Sequence, residues 1–138
     1  VADLGAAAIR ETIALHEVFA AWLSGAGGEA DFRRIEAALD TGFRMITPDG
    51  QLLSRDQVLD RLAAAAGARG ASFGIGIEEA FVLAAPPGHV LLHYLERQWS
   101  EAGETLRRSA ALFRADPEGP NGLRWLFVQE SWILPPRA

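Results

Sequence analysis

The second half of the chain constrains the fold most. Four strand-like runs, 72–84, 89–99, 105–115 and 123–133, follow one another directly. Pro86-Pro87-Gly88, Glu101-Ala102-Gly103-Glu104 and the stretch from Pro117 to Gly122 punctuate them. Strand-like runs separated by short clusters of turn-forming residues pair as consecutive hairpins. This half of the sequence therefore predicts a four-strand antiparallel meander.

The first half has a different period. Leu4, Ala8, Thr12, Leu15, Phe19 and Trp22 recur at helical spacing, with a second stripe of Ile9, Ile13, His16, Ala20 and Leu23 beside it. A helix with so wide an apolar face is covered on more than one side. Gly25, Gly27 and Gly28 stop it. A second helix begins near Asp31, buries Phe32, Ile35 and Leu39, and ends at Gly42. Residues 43–47 read as a short strand closed by Pro48-Asp49-Gly50. Ser54 and Gln57 form a capping box that opens a third helix with Val58, Leu59 and Leu62 inward. Helices first and strands last predict an α+β fold, three helices on one face of a curved, mainly antiparallel sheet. No repeat or linker divides the chain, so residues 1–138 are expected to form a single domain.

Hairpin register sorts the strand residues by face. Pairing Ser100 with Thr105 places Glu96 opposite Ser109. Pairing Asp116 with Leu123 places Ser109 opposite Glu130 and Arg107 opposite Trp132. One face then carries Tyr94, Glu96, Gln98, Arg107, Ser109, Glu130 and Trp132. The other carries Leu91, His93, Leu95, Arg97, Trp99, Arg108, Leu112, Trp125, Phe127 and Gln129. Helices cover only one face, and the second is too apolar to stand in water. A homodimer through the face bearing Trp99, Trp125 and Phe127 is the expected solution.

Composition excludes several chemistries. There is no cysteine, hence no thiolate nucleophile and no Cys-ligated metal. All 13 basic residues are arginine, which leaves no lysine for a Schiff base. That arginine and alanine bias is the stamp of a GC-rich, bacterial genome. The net charge of −5 argues against nucleic acid as a partner. No apolar run reaches the roughly 20 residues a membrane helix needs. No secretory signal is visible either, so a cytoplasmic location is expected. His16-Glu17-Val18-Phe19-Ala20 fails the zinc-protease pattern because Ala20 stands where the second histidine belongs. His89 and His93 lie about 13 Å apart along a strand, too far to share one ion. Gly74-Ile75-Gly76 lacks the third glycine of a dinucleotide loop; in a strand these glycines mark a bend. Neither a metal nor an organic cofactor is expected.

Three segments carry a family resemblance: Ala21-Trp22-Leu23-Ser24-Gly25, Met45-Ile46-Thr47-Pro48-Asp49-Gly50, and the last strand, Trp125-Leu126-Phe127-Val128-Gln129-Glu130-Ser131-Trp132. With the order of elements, they resemble the nuclear transport factor 2-like superfamily, and within it the small SnoaL-like proteins of mostly unknown function. Gln129 and Ser131 stand where such proteins commonly carry histidines. The resemblance covers nearly the whole chain. It implies a cystatin-like, cone-shaped domain, a pocket between helices and sheet, and dimers through the open sheet face. The superfamily holds isomerases, dehydratases, cyclases and non-catalytic association domains, so the fold does not decide the activity.

Within such a pocket Glu96 and Glu130 are the candidate catalytic groups, two carboxylates flanking Ser109 at about 9–10 Å. Burial in a closed cone raises a carboxyl pKa and fits it for general acid or base work. Tyr94 and Ser109 are candidate polar ligand contacts. Trp22, Met45 and Trp132 are candidate walls. His16, on an apolar stripe, reads as a core or pocket-edge histidine. The leading expectation is a homodimer that binds a small apolar or aromatic molecule. The alternatives are a cofactor-independent isomerase, dehydratase or cyclase using Glu96 or Glu130, and a purely structural association domain. Convergence of a buried carboxylate or a His–acid pair on one cavity separates the enzyme from the binder.

Overall fold

The computed structural model describes residues 3–137. Helix α1 (Leu4–Ser24) is capped by the Asp3 side chain, which accepts from the Ala6 amide, and stops at Gly25 in the left-handed conformation. Helix α2 (Glu29–Ala38) leads without a loop into strand β1 (Leu39–Ile46). Strand β2 (Leu52–Ser54) runs directly into helix α3 (Arg55–Ala64) through the Ser54–Gln57 capping box. The meander follows as β3 (Gly74–Ala84), β4 (His89–Ser100), β5 (Gly103–Ala115) and β6 (Leu123–Leu134), with a 3-10 turn at Pro120–Gly122. The strands form one sheet in the order β2-β1-β6-β5-β4-β3. Among the described residues β1 and β6 pair parallel and the other pairs are antiparallel. The α+β class and the helices-on-sheet architecture are those the sequence predicts.

The local departures have physical reasons. Leu39, read as part of the second helix, is the first residue of β1 and pairs with Trp125. A buried leucine suits either element, and Asp40-Thr41-Gly42 are poor helix formers. Gly42 thus lies inside a strand, at a register shift, rather than at a helix end. The second helix starts two residues early because Gly28 serves as its N-cap and donates to the Asp31 side chain at 2.8 Å. Gly74 and Gly76 make room for the Trp99 indole, which lies across both. The sheet instead bends at Glu79, whose φ is 49°, where the β3–β4 register slips.

The first long hairpin is tighter than expected. Ser100 pairs with Gly103, whose φ of 117° closes a two-residue turn. Glu96 therefore faces Arg107, and Tyr94 faces Ser109. The slip is an even number of residues, so no side chain changes face. In the second hairpin Ser109 faces Glu130 and Arg107 faces Trp132, as read from the sequence. A bulge between Leu112 and Phe113 then transfers Trp125 to the inner face. There Trp125 is 2% exposed and packs on Phe113, so it is no part of the outer face.

One polar residue organises this core. The buried face of α1 consists of Ala7, Ala8, Glu11, Thr12, Leu15 and His16, while Ile13 from the expected second stripe stays exposed. Glu11 is fully buried. Arg34 of α2 donates to both its oxygens at 3.1 and 2.5 Å. Asn121 donates at 2.9 Å and the Trp125 indole at 3.1 Å. A buried carboxylate is tolerated only when it is paired and its lone pairs are filled. Removal of one partner of such a group costs about 3–5 kcal/mol. Glu11→Ala, which leaves Arg34, Asn121 and Trp125 unsatisfied, should lower the urea-unfolding free energy by that amount. A loss below about 1 kcal/mol would show that Glu11 does not hold the helices to the sheet.

Candidate functional site

Between α1, α3, β1 and the inner sheet face lies a cavity of about 280 Å³. Leu15, Phe19, Phe43, Met45, Val58, Leu62, Trp125 and Val128 supply apolar wall. The polar lining is concentrated in His16 of α1 and Tyr94, Glu96, Gln98, Arg107 and Glu130 of the meander. The alternation of β4, β5 and β6 puts these strand residues on one face, and α1 brings His16 down onto them.

His16 is the hinge of the electrostatics. Its Nδ1–H donates to the Thr12 carbonyl at 2.7 Å, so Nε2 faces Oε1 of Glu96 at 3.1 Å. Gln98 donates to the other Glu96 oxygen at 2.6 Å. Burial opposes charge on both partners. For His16 the Glu96 charge and hydrogen bond, the Thr12 carbonyl and the Glu130 charge outweigh burial and raise its pKa. For Glu96 the His16 charge and hydrogen bond, then Arg107 and Gln98, outweigh burial and hold its pKa at about 2. The raised His16 pKa and the lowered Glu96 pKa both favour the buried ion pair over the neutral pair.

Glu130 has the opposite fate. Burial and the neighbouring Glu96 charge push its carboxyl up to about 7, against weaker pulls from Arg107 and His16. Its ion pair with Arg107 is long, 3.4 Å. Arg107 also lies over the Trp132 ring at 4.7 Å, and its Nε has no hydrogen-bond partner. Tyr94 is 1% exposed; burial and the charges of Glu96 and Glu130 keep its phenol protonated. The two carboxyls that share this cavity thus have their pKa values driven in opposite directions.

Of the residues singled out from sequence, Glu96, Glu130, Tyr94 and Met45 line the cavity. Ser109 is buried between Tyr94 and Glu130 with its hydroxyl unpartnered, but lies outside the lining. Trp22 is also outside it: its indole donates to the Leu62 carbonyl at 2.7 Å and packs on Phe32, tying α1 to α3. Trp132 donates to Asp49 at 3.1 Å and faces a second, smaller depression. Sequence reasoning underweighted His16, Gln98 and Arg107. The signal for His16 was a histidine on the helix stripe that must face the polar row of the sheet. His93 lies on the outer face, stacked on Phe81 and taking a hydrogen bond from Arg108 at 2.6 Å. Among the described residues no cluster of three or more His, Asp or Glu is placed to hold a metal ion, and no helix is long and apolar enough to cross a membrane.

No protein-family model and no curated protein matches the chain. Solved structures do. A nuclear transport factor 2-like protein of unknown function from Pseudomonas aeruginosa is 28% identical, with a TM-score of 0.85 over 91% of this chain and 98% of that one. The CaMKII hub of S. rosetta is 12% identical, with a TM-score of 0.77 over 96% and 98%. A candidate dehydratase of the nuclear transport factor 2-like family from Streptomyces avermitilis is 16% identical, with a TM-score of 0.69 over 93% and 94%.

The raised Glu130 pKa fixes a sign for stability against pH. The folded state holds a proton on Glu130 that the unfolded chain releases above its ordinary 4.5. This contribution is complete below that value and is lost as pH rises through about 7. A shift of this size corresponds to about 3 kcal/mol. Glu130→Gln should therefore lose less unfolding free energy than the parent between pH 5 and pH 8. Parallel urea titrations at the two pH values test this, and equal slopes for both proteins would refute it.

Proposed function

We propose that this chain, a member of the nuclear transport factor 2-like superfamily, performs cofactor-independent acid–base chemistry on a small, largely apolar molecule. Glu130 is the group that moves the proton. The observation that carries this reading is a carboxyl with a pKa of about 7 facing an apolar cavity. A general base works best when its pKa lies near the working pH. Glu96 does not share that role, because the His16 pair keeps it ionised; it positions His16 and raises Glu130. Arg107, with a free Nε, and the protonated Tyr94 are the donors available for negative charge that develops on a substrate oxygen. The reaction class that fits is proton abstraction beside a carbonyl, which leads to isomerisation, dehydration or cyclisation. The candidate dehydratase among the structural neighbours is compatible with it.

Two further readings have support of their own. The apolar wall suits a binding protein that captures a ligand without altering it. The likeness to a CaMKII hub favours association. We read residues 1–138 as one SnoaL-like domain in any of these roles.

Deuterium exchange from heavy water into a panel of small apolar ketones, followed by proton NMR, separates the readings. Exchange should rise with pH through about 7 as Glu130 ionises. Glu130→Gln should abolish it by a factor of about 100 or more, the scale of a lost general base. Binding of the ketones with no exchange in the parent would favour the binding protein.

The outer sheet face supports a homodimer of revised composition. Trp99 and Phe81 are 41% and 49% exposed there, and Phe127 is half-buried beside Leu112, while Trp125 is withdrawn to the core. Phe127→Arg would place like charges against each other across a two-fold axis. Sedimentation velocity should show a dimer for the parent and a monomer for the variant at micromolar concentration. A parent that sediments as a monomer would remove the dimer.

A further inference from the structure

Next to the main cavity lies a second depression of about 170 Å³, and Gln98 and Arg107 line both. Its character is different. Arg69, Arg107 and Arg137 converge on it, with Thr105 at its wall. Neither Arg69 nor Arg137 has an ion-pair partner among the described residues; the Arg69 guanidinium donates to Gln98, at 3.3 Å, and covers the Phe73 ring. The Thr105 hydroxyl and Arg107 Nε are buried and without hydrogen-bond partners. The acidic residue at the rim, Glu104, is already engaged by Arg97 at 3.0 Å. Three guanidinium groups at one depression repel one another, and unpaired buried donors are costly unless something fills them.

We propose that the molecule taken up by this protein is an acid: its apolar body occupies the main cavity and its carboxylate is held by Arg69, Arg107 and Arg137 in the adjoining depression. The inference rests on the small-molecule reading of the main cavity and names its substrate class. Guanidinium forks match a carboxylate in two-bonded geometry, and such charge-assisted bonds are the strong ones. A single negative charge suits the site better than two, because Glu104 already contributes a carboxyl at its edge and Arg107 is shared with Glu130 of the main cavity. The shared Arg107 would hold the head group beside Glu130, so the atoms next to the carboxylate would lie nearest the proton-moving group.

The test uses two probes with the same apolar body, 4-phenylbutanoate and 4-phenylbutan-1-ol, titrated into the full chain by calorimetry at pH 7.5. The acid should bind roughly tenfold or more tightly than the alcohol, as expected for charge-assisted bonds. R69A/R137A, which removes two exposed side chains, should bring the acid down to the affinity of the alcohol and leave the alcohol unchanged. An unaltered thermal melt would show that the variant is folded. Equal binding of both probes by the parent, or an acid affinity indifferent to R69A/R137A, would overturn the carboxylate site while leaving the cavity and Glu130 reading intact. Tighter binding of inorganic phosphate than of 4-phenylbutanoate would overturn the choice of head group. Failure of both probes to bind would overturn this proposal and the small-molecule reading together.

Discussion

The buried carboxylate of Glu11 is the constraint from which the remaining architecture follows. It stands on α1 and collects donors from α2, from the turn before β6 and from Trp125. A fully desolvated carboxylate has no tolerable state without those partners. Trp125 must therefore turn inward, and β6 can present it there only by a bulge against β5. The indole, once inside, becomes part of the cavity wall near His16, with ring centroids 6.1 Å apart. A pairing that fastens helices to sheet thus also shapes the site that lies along the same face of α1.

Further along that face, the His16–Glu96 pair sets the chemistry. Three buried ionisable groups share a small volume, and their charges cannot all be independent. The proton on His16 secures Glu96 as a carboxylate. That negative charge and the burial of Glu130 then disfavour a second carboxylate. Arg107 offsets part of this penalty, yet its distance from Glu130 and its contact with Trp132 limit the effect. One acid has its pKa held low and the other has its pKa pushed up. The division follows from environment alone, since the two side chains are chemically identical.

Most of the architecture was legible from periodicity. The meander, the three helices, the Ser54–Gln57 cap and the polar inner row of the sheet all follow from alternation and turn residues. The polar row survived an error in register because the slip at the Ser100–Gly103 turn is even. Trp125 was misplaced because a bulge adds one residue, and one residue reverses a strand's faces. Leu39 was misplaced because its burial is equally compatible with helix and strand. The parallel pairing of β1 with β6 joins segments far apart in sequence, and nothing local encodes it. Glu11 was invisible for the same reason: a charge on a helix stripe reads as exposed until its partners, 23 and 110 residues away for Arg34 and Asn121, are in place.

The places where local expectation fails are unevenly distributed. In the apolar core the residues follow the pattern that surrounds them, save Glu11, whose carboxylate is met by Arg34, Asn121 and Trp125. Around the cavity the pattern is broken repeatedly. A histidine and two glutamates are buried together there, and among the described residues the Arg107 Nε on its lining, the Ser109 hydroxyl behind it and the Thr105 hydroxyl in the adjoining depression are without partners. Each unpaired polar atom lowers stability, while Glu11 and the apolar contacts fasten α1 to the sheet. Unpaired polar atoms beside two adjoining depressions are departures from local consistency, and such departures are expected where a protein keeps a functional site. The unevenness also explains why the apolar residues predict the architecture so well and the site so poorly. The core is fixed by agreement between neighbours, and the site consists of the residues that disagree.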